Sequence, residues 1–150
     1  MIGLMHFATW AFNFLFFNAL FMPGIGLVIR LGLRKVRLTY KIYIALLVSI
    51  LSALLALTSL KLVISKIDED SIAHLFGFTT ITWNIELLYQ ATLGYSLLII
   101  AILINKWSSK IGVTVYIAAM IFFLSGLLHV YTGLFATEFI LARYNISLHY

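Results

Sequence analysis

The chain has 150 residues, of which 63% are hydrophobic and 10% charged, and its mean hydropathy is +1.10. Soluble domains carry about a quarter charged residues, so water is not the main solvent of this chain. Its net charge of +5 reads through membrane topology rather than nucleic-acid binding, and the lack of cysteine excludes disulfides, thiol catalysis and cysteine-held iron–sulfur clusters.

A membrane-spanning helix needs roughly 20 mostly apolar residues. The stretches free of Asp, Glu, Lys and Arg run 1–29, 42–60, 71–85, 87–105 and 111–137, and four are long enough. The first predicted helix covers about 2–22. It has no Lys or Arg ahead of its apolar run and no small-x-small cleavage site, so it reads as a retained span rather than a signal peptide. Pro23-Gly24 then allows a kink or an end. An amphipathic extension to about 37 follows, with Arg30, Arg34, Arg37 and Lys41 on one face and Ile25, Ile29, Leu33 and Val36 on another, as expected of cations snorkelling to lipid headgroups.

The second helix is predicted over 42–64. Ala45, Ser49, Ser52, Ala56 and Ser59 recur every three or four residues. Such a seam of small side chains lets helices approach closely where water no longer drives association, so it should face protein. Lys66 and Asp68-Glu69-Asp70 form a polar loop. Residues 72–82 are apolar but short, fit for the membrane surface, and the third helix is expected over 83–105. A fourth runs over 112–138, followed by a tail with Arg143, His149 and the sequon Asn145-Ile146-Ser147.

Seven of the ten Lys and Arg residues fall in the 1–2 and 3–4 connections: Arg30, Arg34, Lys35, Arg37, Lys41, Lys106 and Lys110. The basic side is expected to be cytoplasmic. The predicted fold is therefore an all-α integral membrane protein, a single antiparallel four-helix bundle with both termini on the non-cytoplasmic side.

Polar groups within a span are costly and raise a functional hypothesis by default. His129 lies on a stripe with Gly126, Gly133 and Ala136, where glycines would let a flat macrocycle approach the backbone and the imidazole could ligate haem iron. His6 is the second histidine clearly within a span. If the first helix ends at Met22, His6 sits about 9 Å outward of its midpoint and His129 about 8 Å outward of its own, matched depths that a bis-imidazole haem b requires. The arrangement superficially resembles four-helix membrane cytochromes of b type, which carry more intramembrane histidines than this chain, and no family follows from it. A second candidate, for a quinol headgroup, is Glu86, Tyr89 and Gln90 with Tyr131 and Glu138, where a carboxylate and phenols could accept a proton. Solvated carboxylates in an ordinary aromatic belt with Trp83 are the simpler reading.

The central parts of the four spans hold no Asp, Glu, Lys or Arg, and neither a phosphate-binding loop nor H-E-x-x-H occurs. No connection is long enough for a soluble catalytic domain. The expected function is a non-catalytic subunit of a larger membrane complex, with a respiratory or other electron-transfer assembly as preferred host and lipids and other membrane subunits as partners. The alternatives are a redox subunit that itself binds haem b or quinol near the outer leaflet, and a free-standing membrane or viral envelope protein.

Overall fold

The computed structural model describes the backbone of residues 2–65 and 72–143, and the side chains of residues 8, 11–59 and 84–132. Four helices follow in chain order: α1 (Ile2–Leu31), α2 (Leu38–Ser65), α3 (Ile72–Ile104) and α4 (Ser109–Arg143). Among the described residues no strand occurs. Each helix contains an apolar stretch of 21 to 24 residues, Ala11–Leu31, Leu38–Ser59, Asn84–Ile104 and Ser109–Thr132. At 1.5 Å per residue these reach about 30 Å, the thickness of a bilayer's hydrocarbon core. The chain is a multi-pass membrane protein.

Three boundaries differ from expectation. α1 does not end at Met22 but passes through Pro23 to Leu31. Proline removes one backbone donor and loosens the turn before it, which a spanning helix tolerates when a neighbour supplies a partner. The carbonyl that Pro23 leaves without its intrahelical donor is that of Ala19, and one residue further on the Tyr95 hydroxyl of α3 donates to the Leu20 carbonyl at 2.8 Å. The amphipathic extension to 37 is not a continuous helix. α1 closes where Gly32 and Leu33 both donate to the Val28 carbonyl, so Arg34, Lys35 and Arg37 sit in a turn and Lys41 opens α2. Residues 72–82 belong to α3. With no proline in that stretch, nothing interrupts the helix before Trp83.

α4 is the common neighbour. It packs against α3, α2 and α1; α1 also touches α3, and α2 makes a minor contact with α3. Among the described residues α1 and α2 do not meet, although a short turn joins them. Close approach depends on glycine. A Cβ at Gly24 or Gly94 would fall 2.5 Å or 2.7 Å from the Phe123 ring, and one at Gly32 would fall 2.5 Å from Tyr116. A Cβ at Gly126 would collide with the Phe21 ring. The α1 partners thus rise in number (21, 24, 32) as the α4 partners fall (126, 123, 116), so the two helices run antiparallel. Gly94 with Phe123 and Asn105 with Gly112 set α3 antiparallel to α4 in the same way. Phe17, Phe21, Val28, Leu87, Leu98, Tyr116, Phe123 and Val130 are buried among these three helices, and Tyr95 meets Phe123 edge-on with centroids 4.8 Å apart.

Candidate functional site

Ser52, Ser59 and Gln90 meet their partners where α2, α3 and α4 come together. α2 presents Val48, Ser52 and Ala56 as its buried stripe, at spacings of four. Ser52 donates to the Ile121 carbonyl of α4 at 3.3 Å. Two turns further along α2, Ser59 accepts a long 3.5 Å bond from Gln90 Nε2 of α3. From these pairings, together with that of Gly94 and Phe123, Ser59, Gln90 and His129 lie at about the same level across the three helices. His129 is fully buried, as is Ser125 one turn before it.

The seam of small residues in α2 divides. Ser52 and Ala56 are buried and Ser59 half-buried, as close helix packing asks. Ala45 and Ser49 are exposed, and Val48 takes the inward position beside them.

The haem stripe meets a steric test. Glycine at 126 does leave a notch in α4, and the Phe21 ring of α1 fills it. A macrocycle lying on Gly126 would need that ring's place, so the arrangement does not fit haem there. His129 sits on the same helix but shares its level with Ser59 and Gln90. His6 and Gly133 lie outside the described side chains, as do Trp83, Ala136 and Glu138.

The quinol candidates are only partly brought together. Gln90 is 5% exposed and Glu86, one turn away on the same face of α3, is half-buried, but Tyr89 points outward at 63% exposure. Tyr131 lies at the α1 side of α4, where it meets Phe14 edge-on at 5.5 Å and donates to Asn18 Oδ1 at 3.4 Å. Glu86, Tyr89 and Tyr131 therefore do not converge on one cleft. Buried Gln90 Oε1 and Ser125 Oγ have no hydrogen-bond partner, and neither has Asn84 Oδ1 further along α3, so the interior retains free acceptor capacity at these positions. Among the described residues no cluster of three or more metal-ligating side chains occurs.

No family model, curated protein or solved structure matches this chain. Its function is therefore argued from its own residues.

Sequence reasoning missed Tyr95, Ser125 and Phe21. Tyr95 is an aromatic in an apolar run with no local mark of its reach to α1.

Proposed function

We propose that this chain is an antiparallel four-span bundle with both ends on the side opposite its basic turns, serving as a non-catalytic subunit of a larger membrane assembly. The observation that carries the reading is how its intramembrane polar groups are used. Ser52, Tyr95, Gln90 and Tyr131 each donate to a neighbouring helix. Such bonds hold helices together in a solvent that offers no hydrogen bonds. Around this packed interior α2 turns outward Tyr43, Leu46, Leu47, Ile50, Leu54 and Leu57, an apolar face that suits lipid or a partner helix.

The preference for an electron-transfer host rests on how often small helical membrane chains belong to such assemblies and on the two histidines. With Phe21 in the Gly126 notch, His129 lends that preference no support, and the host is the quantity to measure. Solubilisation of the native protein in mild detergent, followed by identification of what co-purifies, is expected to return a membrane protein in fixed stoichiometry. A monodisperse single chain carrying only lipid and detergent overturns the reading.

The runner-up, a redox subunit taking a quinol, keeps one observation, the free acceptor Gln90 Oε1 in the interior. Loss of bound quinone from the purified protein on Gln90→Leu would favour it. An unchanged or absent quinone content in both proteins removes it.

A further inference from the structure

The α1–α2 hairpin is splayed, and what lies between its arms has a consistent character. Along α4 the residues Val113, Ile117, Ile121, Leu124 and Leu128 recur at spacings of four, four, three and four, and all are half-buried. At about 100° per residue they form one stripe, distinct from the arc of Tyr116, Ala119, Phe123 and Val130 and from that of Ser125 and His129. One edge is set by α2, through Ser52 on the Ile121 carbonyl. The other is set by α1, through Asn18 and Phe14 on Tyr131. Since among the described residues the backbones of α1 and α2 are not neighbours while each packs on α4, the stripe is the floor of an apolar cleft between them. From Val113 to Leu128 it runs about 22 Å along the helix, more than half the hydrocarbon thickness of about 30 Å.

The mouth of the cleft is charged. Arg34, Lys35 and Arg37 are exposed in the turn that closes it, Arg30 is exposed in the last turn of α1, and Lys41 is half-buried at the start of α2. Among the described side chains Glu86 is the one carboxylate, and it lies towards the opposite end of α3. A guest with an apolar body and an anionic head, oriented by the membrane itself, matches both features.

We propose that the α1–α2 cleft binds an anionic phospholipid from the leaflet at the turn, its phosphate held by Arg34, Lys35 and Arg37 and an acyl chain lying along Ile117, Ile121 and Leu124. The site is independent of whether the chain has a protein partner. The probes are phosphatidylglycerol and phosphatidylcholine with the same acyl chains, added to the delipidated full chain in mild detergent and read by native mass spectrometry. Phosphatidylglycerol is expected to be retained at one per chain and at least tenfold more tightly. Joint replacement Arg34→Gln, Lys35→Gln and Arg37→Gln should erase that preference, while Lys106→Gln with Lys110→Gln, at the other basic turn, should leave it within about twofold. Equal weakening by the two sets would show diffuse charge attraction and overturn the site, as would equal retention of both lipids by the unaltered protein. A photo-reactive residue at position 117 in native membranes distinguishes the occupant without requiring the variants to fold. A lipid adduct supports the proposal, and a protein adduct assigns the cleft to a partner helix.

Discussion

α4 and α2 are equally apolar to the eye, yet they occupy opposite situations. Between Val115 and Val130 no residue of α4 is exposed, because α1, α2 and α3 each lie against it. α2 is held along Val48, Ser52 and Ala56, while Leu46, Leu47, Ile50, Leu54 and Leu57 face outward. The difference lies in side-chain size at the contact. α4 receives its neighbours over glycine notches, with Phe123 against Gly24 and Gly94, Phe21 against Gly126 and Tyr116 against Gly32. Large rings set against bare backbone give many dispersion contacts, which is what drives association when lipid is as apolar as leucine. α2 offers serine and alanine to α4, and its leucines are left for lipid or a partner.

Substitutions that empty or overfill the α4 contacts should break this contrast first. Phe123→Ala leaves a void against two glycines and one ring, and is expected to cost about 3 kcal/mol, the low end for a buried phenylalanine, read as loss of the folded fraction in a denaturing-detergent titration. A change below about 1 kcal/mol would mean the notches are not closely packed. Next comes Gly126→Leu, which must displace Phe21 and should cost about 2 kcal/mol by overpacking. If the same variant left stability untouched, the contact between Phe21 and Gly126 would be wrong.

On α2 the contrast sharpens within a single helix. Ser52→Leu places bulk against the Ile121 backbone and should cost about 1 to 2 kcal/mol, whereas Ser49→Leu on the exposed part of the same seam should be near neutral in detergent. Equal effects at the two positions would mean that the seam faces one environment throughout. The smallest expected change is that of Tyr95→Phe. It removes the donor to Leu20 and should cost about 0.6 kcal/mol, the average of membrane double-mutant cycles.

The sidedness of the fold has its own check. Cysteines introduced singly at Trp107, which is 88% exposed in the α3–α4 turn, and at Ser147 should differ in intact cells. Ser147→Cys is expected to react with an impermeant thiol reagent and Trp107→Cys only after permeabilisation. The chain has no cysteine of its own, so the background is clean.

The number of spans was legible because a bilayer imposes one crude requirement, a long run without charge, that a sequence displays directly. The C-terminal end of α1 was not. Pro23 and the Arg30 to Lys41 spacing are local signals, while the neighbours of the last turns of α1, Phe123 at Gly24 and Tyr116 at Gly32, arrive from a distant part of the chain. The same holds for the candidate site. Gly126 announced room beside the backbone, and only the register of α1 on α4 shows that Phe21 takes it. Glu86, Tyr89 and Gln90 were grouped by proximity in sequence, yet adjacent helical positions diverge by about 100°, so Tyr89 faces out where Gln90 faces in.

The central claim is that α1 and α4 are locked antiparallel over glycine notches, and one cross-linking measurement tests it directly. A Cβ added at Gly32 would lie 2.7 Å from Tyr116 Cβ, so a disulfide between Gly32→Cys and Tyr116→Cys needs only about 1 Å of adjustment to reach the usual separation of about 3.8 Å. Gly26 has nothing within 4 Å and serves as the control. Mild oxidation in membranes should close the 32/116 pair nearly completely and leave a 26/116 pair open. Failure of the first pair, or equal closure of both, would contradict the account.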